Sequence, residues 1–322
     1  MTLSSYRSTT LECGWPRLPV DGSSLNLIIE EPLPIEQLSG NQRFHSREIV
    51  HFLRPYDVKF YGEGYKDCNY AFGTIRDTEH ICCKLASEQE VRTFEDLQAH
   101  DPGSHHVATL ALPSHPLPTG DYLITMPLYG DDLTELADNE THLLAGSVLL
   151  KLARQLCTAV TFLHSHNMYH LDIKPQNLVV DVDNDCDLTL IDLGWVMRGK
   201  QPCAVDGATG TYDYAPPEVR LWFEWEEVFI NTGKRGPKPP LYNPRKADAW
   251  MIGNLIGILL RRLAGHDDLQ VESRHEILAF AEWIMNKRPR IDVALKRLDR
   301  IATNPGVSRT PSTIDSGVEV LP

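Results

Sequence analysis

What the chain has little of narrows it first. Its seven cysteines include no Cys-x-x-Cys pair, their number is odd, and most sit inside apolar runs. Neither a disulfide framework nor a zinc site is expected, and the thiols read as reduced. No stretch is apolar for long enough to span a bilayer. The longest such run, "MIGNLIGILL" at 251–260, has the length of a buried core helix. The opening "MTLSSYRSTTLECGW" holds no apolar signal core. Basic residues are also short, with 31 Lys and Arg against 44 Asp and Glu and a net charge of −13. A general nucleic-acid binder needs clustered cations to release counterions, so that class is set aside. These absences predict an intracellular protein, cytoplasmic or nuclear, with no membrane and no nucleic-acid partner.

The 322 residues are enough for two lobes with a sizeable core. Residues 1–55 are rich in Ser, Thr and Pro and read as a mostly extended, partly disordered arm; the prolines of "LNLIIEEPLPIEQL" argue against a long helix. From 58 the pattern changes. "VKFYGEGY", "NYAFGTIR" and "HICCKLA" are short and β-prone, and predict a three-strand meander. "SEQEVRTFEDLQAH" follows with helical spacing, then "VATLALP" and "DYLITMPL" as two further strands. Beyond these the chain turns helical, led by 147–166, whose apolar stripe runs through Val148, Leu149, Leu152, Leu156, Ala159, Val160 and Leu163. The stretch 225–244 reads as an exposed, proline-bearing insertion, and 303–322 as a disordered tail. A β-rich part followed by an α-rich part predicts an α+β fold of two lobes with a cleft between them.

Between two apolar ends, "MYHLDIKPQNLVV" at 168–180 places Asp172, Lys174 and Asn177 on one short loop. "IDLG" then puts Asp192 at the end of the next strand but one, where a strand–turn–strand returns it beside Asn177. An Asp carboxylate and an Asn carbonyl are hard oxygen ligands suited to magnesium. Lys174 can neutralise a transferring phosphoryl group, and Asp172 can accept a proton from an attacking hydroxyl. That set meets the demands of phosphoryl transfer, which are positioning and charge stabilisation.

Those residues resemble the eukaryotic protein kinase family, over roughly 58–300. "HLDIKPQN" (170–177) is similar to its catalytic loop and "DLG" (192–194) to its magnesium loop, with Leu193 for the usual Phe. "GTYDYAPPE" (210–218) resembles the end of its activation segment. "DAWMIG" (248–253) resembles the start of its central helix, and "KRPRIDVAL" (287–295) its late Arg-Pro motif. The resemblance implies a two-lobed kinase-like domain at 56–302, with an N-lobe at 56–127 and a C-lobe at 128–302. It implies an ATP- and Mg-dependent serine/threonine kinase acting on a protein substrate, expected to be a monomer. Asp172 would orient and deprotonate the hydroxyl and Lys174 would stabilise the phosphoryl, while Asn177 and Asp192 would hold the metal. Gly62 and Gly64 would cover the phosphates, with Asp67 where the family has a third Gly and Asn69 where it has Val. Lys84 would hold the phosphates, braced by Glu95, with Glu88 and Glu90 as the other candidates. Met126 would be the gatekeeper and Leu128 would offer hinge backbone groups to the adenine. Asp67 and Asn69 support a second reading, a pseudokinase that binds nucleotide or scaffolds partners. Leu171 stands where many members carry an Arg that grips a loop phosphate. No Ser or Thr occurs from Trp195 to Ala208, so a loop-phosphate switch is not expected. Glu218 and Arg288 are expected to pair. The forty-residue interval from Asp248 to Arg288 is short for the family, which predicts a reduced docking surface.

Overall fold

The computed structural model describes residues 32–61, 69–100, 105–139, 146–263 and 271–303. The N-terminal arm is more structured there than its prolines suggest. Residues 35–37, 40–45 and 54–56 form 3-10 turns around helix α1 (Arg47–Leu53), which starts at Ser46, whose hydroxyl accepts from Ile49 N. The prolines sit at turn starts, where no donor is lost.

The small lobe is an antiparallel sheet of β1 (Val58–Phe60), β2 (Tyr70–Ile75), β3 (Glu79–Ala86), β4 (Leu112–Pro116) and β5 (Tyr122–Pro127), with helix α2 (Glu88–His100) between β3 and β4. The spatial order is β1-β2-β3-β5-β4. Strand β4 is displaced from the expected "VATLALP". Val107 instead bridges Leu190 in the large lobe, and Ala108 N donates to Leu190 O at 2.9 Å. The two prolines of β4 are tolerated because it is an edge strand. Both faces of the sheet are covered. Phe72, Cys82, Ile124 and Met126 face the main core. Their neighbours Ala71, Cys83 and Leu123 face Ile35, Phe44, Ile49 and Leu53 of the arm in a second core. Alternation along a strand thus sends the adjacent Cys82 and Cys83 to opposite cores, and both are buried.

The large lobe runs through β6 (Asp131–Asp132), α3 (Leu133–Asn139), α4 (Gly146–Ser165), β7 (Met168–Tyr169), β8 (Leu178–Asp181), β9 (Asp187–Leu190), β10 (Met197–Arg198), α5 (Pro217–Thr232), α6 (Pro244–Arg262), α7 (Val271–Lys287) and α8 (Ile291–Ala302). The apolar stripe of α4 is buried except at the half-buried Val148. The expected insertion at 225–244 is only half loop. Its first eight residues continue α5, which ends at Gly233 in the left-handed region (φ +67°), the usual helix stop. Helices α6 and α7 pack closely because Gly253 has no Cβ. One placed there would lie 2.6 Å from Ile284 and 2.7 Å from Ala281 O. No helix among the described residues is long and apolar enough to cross a membrane. The small antiparallel-sheet lobe and the helical lobe together make the two-lobed kinase fold.

Candidate active site

Asp248, the fifth residue of α6, is wholly buried. A buried carboxylate must be satisfied on both oxygens. Oδ1 accepts from Leu171 N (2.8 Å), while Oδ2 accepts from His170 N (3.0 Å) and meets His164 Nε2 at 2.8 Å. This fastens the 170–177 loop to the central helix and holds Leu171 at φ +63°. His170 works from the other side. Its Nδ1 accepts from Asp172 N (3.3 Å), which leaves the ring proton on Nε2 for Ile191 O (3.2 Å).

On that fixed loop, Asp172 is buried. Its Oδ2 lies 2.9 Å from Lys174 Nζ and accepts from Asn177 Nδ2 at 3.0 Å. Its Oδ1 is buried and takes no hydrogen bond. Gly210 lies against that oxygen. A Cβ there would sit 3.1 Å from Asp172 Oδ1 and 2.2 Å from Leu171 O, and its φ is +75°, so only glycine suits both the space and the backbone. Next to it, the Thr211 hydroxyl accepts from Lys174 Nζ at 2.9 Å. Sequence positions far apart, Asp172 and Gly210, therefore meet at one carboxylate.

Across the cleft, Lys84 Nζ on β3 donates to Glu90 Oε1 and to Asp192 Oδ1, both at 2.7 Å. Burial alone would lower the amine's pKa, but the two carboxylates more than offset it and hold Lys84 charged. Burial also pushes the Glu90 carboxyl up, with Lys84 pulling it back and Asp192 adding to the rise. At Asp192 burial is overcome by Lys84, helped by Lys174, and the carboxyl lies well below its usual range. Asp192 itself is left-handed (φ 61°, ψ 75°), a conformation that Asp tolerates better than most residues.

Glu95, expected to brace Lys84, does not reach it. It accepts from Ser114 Oγ at 2.7 Å on the exposed side of α2. Five residues on from Glu90 is about 140° further round a helix, so both cannot face Lys84. Glu88 is exposed and pairs with Arg92. Helix α2 is also tied to the segment after Asp192. Gln89 Nε2 donates to Val196 O (2.9 Å), and Arg198 pairs with Asp96 and donates to Arg92 O (2.8 Å). Neither tie was foreseen. Asp248 was foreseen only as part of a motif, although a lone carboxylate among "KADAWMIG" already asks for a buried partner.

Met126 is buried at the end of β5, opposite Cys82. Leu128 donates its N–H to His80 O at 3.0 Å. Gly62, Gly64 and Asp67 lie outside the described residues. Asn69 turns its side-chain oxygen to Arg43 of the arm, at 2.5 Å. Glu218 and Arg288 pair as expected, with 22% and 23% of their side chains exposed.

The donors fit a nucleotide and a divalent cation. Asn177 spends its side-chain nitrogen on Asp172, and its backbone carbonyl accepts from Ile191 N at 2.9 Å, one residue before Asp192. No cluster of three His, Cys, Asp or Glu able to hold a metal occurs among the described residues. A cation here would have few protein ligands and draw the rest from phosphates and water, the arrangement magnesium favours.

These features gather charged groups from both lobes, and comparison with known proteins gives the family. The protein kinase domain model matches residues 80–284, well over half of the sequence, and the chain belongs to that family. A probable serine/threonine-protein kinase of Saccharomyces cerevisiae, FMP48, is 34% identical over 110 residues, 34% of this chain and 28% of its own length. CBL-interacting serine/threonine-protein kinase 20 of Arabidopsis thaliana is 25% identical over 238 residues, 70% of this chain and 49% of its own. Putative ribosomal protein S6 kinase alpha-2 of Caenorhabditis elegans is 27% identical over 279 residues, 77% of this chain and 32% of its own. The chain thus spans half or less of the length of these relatives.

Proposed function

We propose that the protein is an ATP- and magnesium-dependent serine/threonine kinase of protein substrates, acting inside the cell as a monomer. One observation carries this reading. The buried Asp172 has one oxygen fixed by Lys174 and Asn177, and the other, against Gly210, carries no hydrogen bond. Such an oxygen has no partner in the folded chain and is left to accept a proton from a hydroxyl that displaces the contact at Gly210. ATP with its magnesium would supply the phosphoryl group and part of the charge neutralisation. Lys84 binds and orients phosphate oxygens, with Glu90 holding its ammonium in place. Lys174 neutralises charge developing on the transferred group. Asn177 and Asp192 are the residues that would hold the metal. Contact between Lys174 and Thr211 supports Ser/Thr rather than Tyr substrates, as does the naming of the relatives. The polar Asn69 is engaged by Arg43, which removes one argument for an inactive binding module.

The test measures magnesium-dependent phosphate transfer to a generic protein substrate, alongside nucleotide binding. Asp172→Asn is expected to bind ATP and lose turnover, and Asp192→Ala to lose both. Nucleotide binding with no turnover above the Asp172→Asn blank would leave a pseudokinase. Normal turnover in Asp192→Ala would overturn the metal assignment.

A further inference from the structure

The activation segment meets the catalytic loop at Gly210 and Thr211, and the loop after α5 holds the residues just ahead of them. Leu171, at the position where a phosphate-gripping Arg would stand, is wholly buried in an apolar cluster with Tyr169, Val219, Trp222 and Tyr242. The two guanidiniums nearest in sequence to the segment are engaged elsewhere. Arg198 holds α2. Arg220 donates to Ala215 O (2.8 Å) and Asp213 O (2.9 Å).

In their place stands the stretch 233–243. Val205 and Tyr242 exchange backbone hydrogen bonds of 2.8 and 3.3 Å. The Tyr242 hydroxyl donates to Gly207 O (3.2 Å), so its oxygen accepts a hydrogen bond from the Thr209 hydroxyl, 2.7 Å away. Burial pushes this phenol up to about 12, so it remains a donor at any physiological pH. Lys238 pairs with Asp206 while lying 5.4 Å from the centre of the Trp222 ring. Trp222 Nε1 in turn holds Pro240 O (3.2 Å). The contacts to Val205, Asp206, Gly207 and Thr209 lie directly ahead of the Gly210 and Thr211 that meet Asp172 and Lys174, and Trp222 anchors the stretch that makes them.

We propose that the 233–243 stretch is a built-in brace for the activation segment, with Tyr242 as its positioning residue, so that the protein-substrate side of the site is assembled without covalent modification. The proposal rests on the kinase reading above. Tyr242 touches no reacting atom. It acts through Thr209 on the placement of Gly210 and Thr211.

The test compares Tyr242→Phe, which keeps the buried ring and removes the hydroxyl, with Thr209→Ala, Thr209→Ser and the double variant Tyr242→Phe/Thr209→Ala. Tyr242→Phe and Thr209→Ala are each expected to lower kcat/KM for protein substrate about tenfold, with nucleotide affinity and Tm unchanged. The double variant should be no worse than either single one, the mark of a shared interaction. Thr209→Ser should recover most of the loss. Amide hydrogen exchange at Val205–Thr209 should rise in Tyr242→Phe. This last measurement stands whether or not the protein turns over, so failure of the kinase reading and failure of the brace are distinguishable. Unchanged exchange, or wild-type turnover in Tyr242→Phe, would overturn the brace. Loss of wild-type activity on phosphatase treatment would overturn it as well.

Discussion

Three charged groups meet at Lys84, and their order of protonation sets the acid limit of the site. Glu90 is raised, chiefly by burial, and Asp192 is held low by Lys84 against burial. On acidification Glu90 therefore protonates first and releases α2 from Lys84. The acid limb of kcat/KM should lie above the usual carboxylate range in the wild type. Glu90→Gln should lose about a hundredfold in turnover and flatten that limb, whereas Glu95→Ala should stay within about twofold. A pH–rate series on the three proteins checks both. Asp192 gives a stability effect of the opposite sense. Its folded pKa lies below its unfolded value, so between the two the unfolded chain binds more protons and stability falls as pH falls. The contribution is complete above about pH 4 and is lost below. Melting temperatures of wild type and Asp192→Asn should converge as the pH drops through that window.

At the scale of elements, the arm and the late ion pair carry the stability predictions. Phe44 is wholly buried against the outer face of the sheet. Phe44→Ala should cost about 3–5 kcal/mol, and thermal unfolding should show a fall of about 10 °C. Arg288→Ala strands the Glu218 carboxylate. With about a fifth of each side chain exposed, the cost should be about 2 kcal/mol, less than for a fully buried pair. Unchanged melting would show that the pair contributes nothing. The helices and most strands were legible because their apolar spacing is regular. Strand β4 was not, because a bridge from Val107 to Leu190 is a tertiary contact that no local pattern reports. The arm was half legible. Alternation in "HICCKLA" leaves Ile81, Cys83 and Leu85 as a wholly apolar face of β3, which signals a cover for that face, but what supplies the cover lies in the arm.

For the whole molecule, a net charge of −13 creates a field that favours cationic partners. Under the kinase reading, kcat/KM for an Arg-rich peptide should exceed that for a Glu-rich one of equal length, and the advantage should shrink as salt is added. A salt-independent ratio would show that selection is local. The gathering of Asp172, Lys174, Asn177 and Asp192 was legible in outline because they sit in short motifs. The partner of Lys84 was not, since Glu88, Glu90 and Glu95 share one helix and only its rotation about Lys84 separates them. Leu171 carries a consequence for the protein's history. Replacing it by Arg would force a guanidinium into a sealed apolar pocket beneath Tyr242 and Trp222, with no phosphate yet in place to receive it. Adding a phosphate first, at Thr209, would break the bond to Tyr242 with Leu171 still in the place of the Arg that would grip it. Each single step is a loss, so a lineage that has packed Leu171 and Tyr242 together is entrenched in an always-assembled state and cannot return to a switchable one by one substitution at a time.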